Sequence, residues 1–267
     1  MNDFNYWTKQ GNRPLFSSVD TMQPEQRRFA GKLLIIGGNN GAFFAVANAM
    51  QEAFTLGAGE VRALMPSSLR GKVPSTPEVY FAEAENSGAF GKAALGEMLN
   101  QTEWADVVLI VGDLGKNAET SVVFSDYIAK VDKPIYVTRD GIDVLVSDIA
   151  NWGMREAETV IFATMPQLQK MLRVLYYPKV ITLSMPTNQL IETLHKFTIS
   201  YAMTIATFHN DQLVVARDGK VISCEIKDTK WTPITLWSGS LPTKAAVLRM
   251  WNQGSGAEQV FSTAMLV

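Results

Sequence analysis

The sequence has one cysteine and two histidines in 267 residues, and this scarcity excludes several kinds of chemistry. Cys224 cannot form an intramolecular disulfide, which is typical of a reducing compartment, and its place in a predicted strand favours a packed apolar side chain. His195 and His209 have no cysteine, histidine or carboxylate beside them at metal-ligand spacing. We therefore predict no metal site and structural roles for both histidines.

Excess charge and a long apolar run are also missing. The chain has 24 basic and 26 acidic residues, so it lacks the positive field that nucleic acids or anionic membranes attract. Its longest uncharged apolar stretch, about residues 197–208, is shorter than the roughly 20 helical residues that cross a bilayer. The first seven residues lack the basic region and apolar core of a secretion signal. We expect a cytoplasmic protein that binds neither nucleic acid nor membrane.

Strand-like and helix-like segments alternate from Gly31 onward. Val107–Val111 is apolar at every residue, which is typical of a strand covered on both faces, and residues 217–220 form a hairpin signal. We predict an α/β fold with a doubly wound, mostly parallel sheet, helices on both faces and a late β-hairpin. Residues 1–28 are predicted to be an irregular N-terminal arm, and residues 29–267 a single domain. No clear pattern is found from Gly254 to the end.

The individual segments follow from apolar periodicity. Strands are predicted at 33–37, 60–65, 107–111, 134–138, 159–163, 201–208, 212–216 and 221–226, and helices at 42–55, 91–99, 121–131, 166–175, 189–198 and 243–251.

The segment Gly37-Gly38-Asn39-Asn40-Gly41 joins a predicted buried strand to a predicted helix. Backbone N–H groups at a helix start, with the helix dipole behind them, form an anion site, so this segment is a candidate phosphate- or nucleotide-binding loop. The alternative is an ordinary tight turn, which also favours glycine. The loop is neither Gly-x-Gly-x-x-Gly, because Asn39 replaces the second glycine, nor a Walker A loop.

Two more strand ends carry glycine or acid, namely Gly112-Asp113-Leu114-Gly115 and Arg139-Asp140-Gly141. Ligands of open α/β sheets bind beyond the carboxyl ends of the strands, so the three segments could line one cleft. The alternative is that each is an ordinary connection between a strand and a helix.

Taken in order, these segments resemble the ATP- or ADP-dependent NAD(P)H-hydrate dehydratases, which are ribokinase-like. The matching elements are Gly37–Gly41, Leu56–Val61, Pro77-Glu78-Val79 and Ala105–Gly115. The resemblance implies a ribokinase-like fold, ATP or ADP as cofactor with Mg²⁺, an NAD(P)H-hydrate-like ligand and a homo-oligomer. The nucleotide- or substrate-binding residues that it implies are Gly37, Gly38, Asn39, Asn40, Gly41, Gly112, Asp113, Gly115, Asp140, Gly239 and Ser240.

The sequence departs from that family where the chemistry should lie. The Asp-Ala-Asp-Ala-Leu motif appears as Thr138–Ile142 with only its second Asp, and the Thr-Pro-His-x-Gly-Glu motif appears as Ala163–Leu168 without His or Glu. The Gly-Gly-Thr-Gly-Asp motif, which holds phosphate and supplies the base, is best matched by Ser238–Pro242. Asp140 is then the one candidate catalytic residue.

Proline has no backbone N–H for a phosphate and no group that accepts a proton. Phosphoryl transfer depends on positioning and electrostatic stabilisation, so the loss of both should lower the rate by orders of magnitude. We therefore expect a divergent relative that binds an adenine nucleotide or dinucleotide with catalysis lost or much reduced. The alternatives are an active ATP/ADP-dependent dehydratase and a non-catalytic oligomeric scaffold.

Overall fold

The computed structural model describes residues 5–11, 13–20, 23–226 and 238–266. The strands within these residues are β1 (Trp7–Gln10), β2 (Lys32–Gly37), β3 (Glu60–Pro66), β4 (Val79–Ala82), β5 (Val107–Gly112), β6 (Ile135–Thr138), β7 (Thr159–Phe162), β8 (Thr204–His209), β9 (Gln212–Arg217) and β10 (Lys220–Glu225). The helices are α1 (Ser17–Asp20), α2 (Phe44–Leu56), α3 (Ala94–Trp104), α4 (Ala118–Lys130), α5 (Asp140–Leu145), α6 (Ile149–Trp152), α7 (Met165–Val174), α8 (Thr187–Ser200), α9 (Ser240–Trp251) and α10 (Ala257–Ala264). Short 3₁₀ turns occupy Arg27–Phe29, Ser67–Leu69 and Val146–Asp148.

The strands form one sheet in the order β1-β10-β9-β8-β7-β6-β5-β2-β3-β4. Pairing is parallel from β4 through β8, while β8, β9 and β10 are antiparallel neighbours joined by tight turns. The predicted doubly wound sheet with a late hairpin is therefore confirmed. The strand order reverses between β2 and β5, and this reversal creates a crevice at their carboxyl ends.

Each face of the sheet carries a hydrophobic core. Along β2, Leu34 and Ile36 pack on one face while Leu33 and Ile35 pack on the other, and all four are fully buried. Helices α3 to α8 cover the first face, and α2, α9 and α10 cover the second. A strand buried on both sides needs apolar residues at every position, which explains the unbroken run in the sequence.

Local signals fix several helix ends. Helix α4 begins after Asn117, whose side chain accepts a hydrogen bond from the Glu119 N–H. Helix α7 begins with a capping box between Thr164 and Gln167. Helix α2 ends at Gly57, which adopts φ +92°.

Several segments differ from the prediction, which contains no strand at β4 and no helix at α1, α5 or α6. The N-terminal segment is not irregular throughout, because β1 pairs in parallel with β10 and the Trp7 indole N–H donates to Ser223 Oγ at 2.9 Å. The tail from Gly254 contains α10, which buries Val260 and Phe261 against the second face of the sheet. The boundary between an arm at 1–28 and a domain at 29–267 stays a prediction.

Candidate functional site

The carboxyl ends of β2 and β5 meet at the point where the strand order reverses. The Gly38 N–H donates to the Gly112 carbonyl at 3.0 Å. A Cβ atom on Gly37 would lie 2.6 Å from that same carbonyl oxygen, so no larger residue fits there. This close approach of two strands gives Gly37 a structural reason that is independent of any ligand.

The segment from Gly38 to Ala42 forms a turn closed by its own hydrogen bonds. Asn39 and Ala42 exchange backbone hydrogen bonds at 2.8 and 3.1 Å, and the Gly41 N–H donates to Asn39 Oδ1 at 2.8 Å. The Asn40 N–H donates to the Gly88 carbonyl at 3.0 Å. The N–H groups of Gly38, Asn39, Asn40 and Gly41 are therefore used inside the protein.

The side chain of Asp113, which directly follows β5, reaches the start of α2. Its Oδ2 accepts a hydrogen bond from the Ala45 N–H at 2.9 Å, and its Oδ1 accepts from Arg139 Nη2 at 2.9 Å. The N-cap residue of α2, Phe43, makes no side-chain cap, and the first turn of the helix contains no acid. The carboxylate of Asp113, which the loop after β5 carries, thus accepts a first-turn N–H group that α2 itself leaves without a partner.

Asp140 holds the loop after β5 in the same manner. Its Oδ1 accepts from the Asp113 N–H at 2.7 Å, and its Oδ2 accepts from the Leu114 N–H at 3.0 Å. Gly112 adopts φ +96°, and a Cβ atom there would collide with the carboxylate of Asp140. Asp140 is also the first residue of α5, so the predicted Arg139-Asp140-Gly141 connection is shorter than expected.

Arg139 links these groups to the start of α9. It has φ +56° and ψ −141°, a backbone conformation that costs about 1–3 kcal/mol for a residue with a side chain. Its Cδ lies 4.0 Å from the position of a Cβ atom on Gly239. The structure therefore places Gly239 beside the Asp113–Arg139 pair. The sequence prediction included Arg139 in a strand-end segment but assigned no binding role to this residue. Its available signal was a basic residue directly after a buried strand.

Helix α9 begins at Ser240 after Gly239, which adopts φ +89°. Leu241 and Pro242 are buried in the first turn, and this turn contains no acidic residue. The Ser240 N–H donates to Ser238 Oγ at 3.4 Å, and Thr243 Oγ1 donates to the Gly239 carbonyl at 2.8 Å. The positions that match the family's Gly-Asp pair are thus packed into the core.

An open cleft of about 510 Å³ adjoins this region. Among the predicted residues, Gly115 and Asp140 line it. Asp143 and Lys170, which form an ion pair at 3.2 Å, also line it. Its remaining lining residues are Lys116, Asn117, Ala118, Ser121 and Val144.

The histidines and the cysteine have structural surroundings elsewhere in the fold. His195 Nδ1 contacts the Gly219 carbonyl oxygen, and its ring stacks on Tyr6 at 3.7 Å between centroids. His209 Nε2 lies 2.7 Å from the Met185 carbonyl oxygen. Cys224 is buried, and burial raises the pKa of its thiol to about 12.

Metal-binding clusters and membrane spans are both missing from the part of the chain that the structure describes. It holds no group of three or more His, Cys, Asp or Glu residues able to bind a metal ion. No helix in that part is both long and apolar enough to cross a membrane.

No family model matches the chain. A curated relative, the bifunctional NAD(P)H-hydrate repair enzyme Nnr of Moorella thermoacetica, is 27% identical over 121 residues. That match covers 44% of this chain and 23% of the relative, so the chain spans less than a quarter of that relative's length.

Solved structures cover much more of the chain. A ribokinase-like superfamily protein from Enterococcus faecalis has a TM-score of 0.71 at 15% identity, covering 98% of this chain and 86% of that one. The ADP/ATP-dependent NAD(P)H-hydrate dehydratase of Bacillus subtilis, co-crystallised with ATP/Mg²⁺, has a TM-score of 0.57 at 12% identity, covering 94% and 96%. The chain therefore has a ribokinase-like fold and resembles NAD(P)H-hydrate repair enzymes in sequence over less than half of its length.

Proposed function

We propose that this chain is a divergent NAD(P)H-hydrate dehydratase-like protein that binds an adenine nucleotide or dinucleotide, with dehydration lost or much reduced. Its ligand binds in the crevice between β2 and β5, along the segments that end at Gly41, Gly115, Asp140 and Ser240. The curated relatives and the ATP/Mg²⁺-bound neighbour support a ligand of this class.

The observation that carries the loss of catalysis is the first turn of α9. Where the resemblance requires a glycine and a catalytic aspartate, the chain has Leu241 and Pro242, and both are buried. A buried proline can neither accept a proton from a hydroxyl nor donate an N–H to a phosphate.

The contacts of Asp140 support a structural role over that of a replacement base. Both of its carboxylate oxygens accept hydrogen bonds from backbone N–H groups, at 2.7 and 3.0 Å. A general base needs to be within hydrogen-bonding reach of the proton that it removes. This geometry favours Asp140 as a structural cap.

The described residues fit a nucleotide better than they fit a resident metal ion. The start of α9 lies beside Arg139, and a helix start with a neighbouring guanidinium suits a phosphate. The described acids at this edge form no metal cluster, so any Mg²⁺ would arrive coordinated mainly by the nucleotide phosphates.

The test is to incubate the purified protein with hydrated NADPH and either ATP or ADP, and to follow the recovery of reduced nicotinamide absorbance. The Bacillus subtilis dehydratase serves as the active control. We expect no turnover above background, together with a rise in melting temperature when ADP, ATP or NADPH is added. Turnover at the control's rate would establish the alternative, an active dehydratase.

A lack of both turnover and thermal stabilisation would contradict nucleotide binding and leave an oligomeric scaffold as the remaining role. The homo-oligomer that the resemblance implies is part of this proposal. Light scattering of the purified chain measures it directly, and a monomeric mass would contradict it.

A further inference from the structure

The start of α2 is already occupied by an anion, and that anion belongs to the protein. Asp113 Oδ2 accepts the Ala45 N–H at 2.9 Å, and its Oδ1 pairs with Arg139 Nη2 at 2.9 Å. A ligand phosphate at a helix start uses the same kinds of donor, namely a first-turn N–H and a guanidinium. The carboxylate of Asp113 therefore sits where such a phosphate would bind.

We propose that Asp113 is a specificity-determining residue, a built-in anion that excludes ligand phosphates from the start of α2. The consequence for the ligand rests on the proposed function: its phosphates bind away from Gly37–Gly41, and that turn contacts only its uncharged parts. The used N–H groups of Gly38, Asn39, Asn40 and Gly41 support the same assignment.

The placement of Asp113 is specific rather than incidental. Its side chain is 11% exposed and its partner Arg139 is 19% exposed, so both charges are largely removed from water. Its backbone adopts φ +56°, where glycine is the least strained residue. Asp140 also fixes the Asp113 backbone N–H at 2.7 Å, which holds the carboxylate towards α2.

The test is the Asp113→Gly variant, which keeps the left-handed backbone and removes the carboxylate. Ala45 and Arg139 then lose this anionic partner, and inorganic phosphate can take its place. At a phosphate concentration about tenfold above its Kd, we expect a melting temperature higher by about 3–6 °C than in chloride of equal ionic strength. The wild-type chain should show no comparable phosphate-specific rise.

Asp106→Gly is the matched control. The carboxylate of Asp106 also accepts a backbone N–H, from Lys32 at 2.9 Å, but at the amino end of the sheet and not at a helix start. This variant should gain no phosphate-specific stabilisation. Adding Arg139→Met to Asp113→Gly should remove most of the gain, because the bound phosphate would lose its guanidinium.

If Asp113→Gly does not fold, Asp113→Asn gives the same readout. Asparagine tolerates a left-handed backbone and can accept the Ala45 N–H, but it leaves Arg139 without this counter-charge. We expect a smaller phosphate-specific rise of the same sign. Equal phosphate stabilisation of the wild type and both Asp113 variants, or none in any folded Asp113 variant, would overturn the proposal.

Wild-type binding of ADP and NADPH, measured in the same series, separates this inference from the proposed function. If the nucleotides stabilise the wild type but phosphate never distinguishes the variants, the role of Asp113 is wrong and the proposed function stands. If phosphate stabilises only the Asp113 variants and no nucleotide binds the wild type, Asp113 has the proposed role and the proposed function fails.

Discussion

Replacing Asp140 with asparagine separates a structural role from a catalytic one. In the wild type, the carboxylate accepts the N–H groups of Asp113 and Leu114 at 2.7 and 3.0 Å. Asparagine keeps one acceptor oxygen but turns an NH₂ group towards the other backbone donor. One donor of the β5–α4 loop then loses its partner, and the other loses a charged one.

Hydrogen bonds to charged groups contribute about 1.5–3 kcal/mol each. Because Asp140 is only partly buried, the lower half of that range, about 1.5–2 kcal/mol, applies to each of the two bonds, and we expect a total loss of about 3–4 kcal/mol. For a chain of this size, that corresponds to a fall in melting temperature of about 5–15 °C. Circular dichroism during heating and in urea measures it.

Asp143→Asn is the control on the same helix. Its carboxylate accepts only from the side chains of Gln167 and Lys170 in the described structure, at 2.9 and 3.2 Å, and its side chain is 40% exposed. A pair of this kind contributes about 0–1 kcal/mol. If Asp140→Asn were no less stable than Asp143→Asn, the structural role of Asp140 would be refuted. If the wild type turned over hydrated NADPH and Asp140→Asn did not, Asp140 would be catalytic.

Three other predictions concern buried groups. Burial raises the pKa of the Glu258 carboxyl group, so the folded protein keeps this group protonated to a higher pH than the unfolded chain does. The stability that the bound proton contributes is therefore lost as the pH rises through the folded-state pKa. Glu258→Gln should therefore be more stable than the wild type near neutral pH, by on the order of 1 kcal/mol, and urea unfolding near pH 3 should show no difference. A destabilised variant at neutral pH would mean that the ion pair with Arg217, at 3.9 Å, outweighs desolvation. Cys224, with its thiol pKa raised to about 12 by burial, should react with a thiol reagent only after unfolding; rapid reaction of the native protein would show that the strand pair β9–β10 opens. The Tyr136 hydroxyl is buried without a hydrogen-bond partner among the described residues. Tyr136→Phe should therefore leave the free energy of unfolding unchanged or raise it by up to about 1 kcal/mol, as measured by thermal unfolding. A clearly less stable variant would reveal a partner of the hydroxyl.

Local sequence patterns were sufficient for the elements that build the centre of the sheet. The strand predicted at 107–111 is β5, and the helix predicted at 42–55 is α2, each within two residues at either end. Their apolar residues repeat with the period of the element that they form, so no knowledge of distant partners is needed.

Two of the missed elements, β1 and α10, depend on partners far along the chain. The strand β1 is short and polar, and it forms because β10 presents an edge more than 200 residues later. Helix α10 does show helical spacing at Ala257, Val260, Phe261 and Ala264, but its eight residues are too few to be stable without the sheet beneath them.

The site, like the fold, has features that the local sequence predicts and features that depend on distant contacts. Sequence order correctly suggested that the segments after β2, β5 and β6 lie at one edge, since carboxyl ends of parallel strands share an edge. It could not show that the carboxylate of Asp113 reaches the Ala45 N–H, which lies 68 residues earlier. Whether a glycine turn is an anion site depends on which donors remain unused, and only the folded arrangement decides that.

The use of these donors and the buried Leu241 and Pro242 at the start of α9 both support the proposed loss of catalysis. Catalysis of phosphoryl transfer requires donors that stabilise charge as it develops in the transition state. At this edge, the N–H groups of Ala45, Asp113 and Leu114 already bind carboxylates of the protein itself. Donors held in this way stabilise the resting fold and offer little additional stabilisation to a transition state. Binding a nucleotide through the start of α9 requires none of them, so the arrangement is compatible with retained binding and lost turnover.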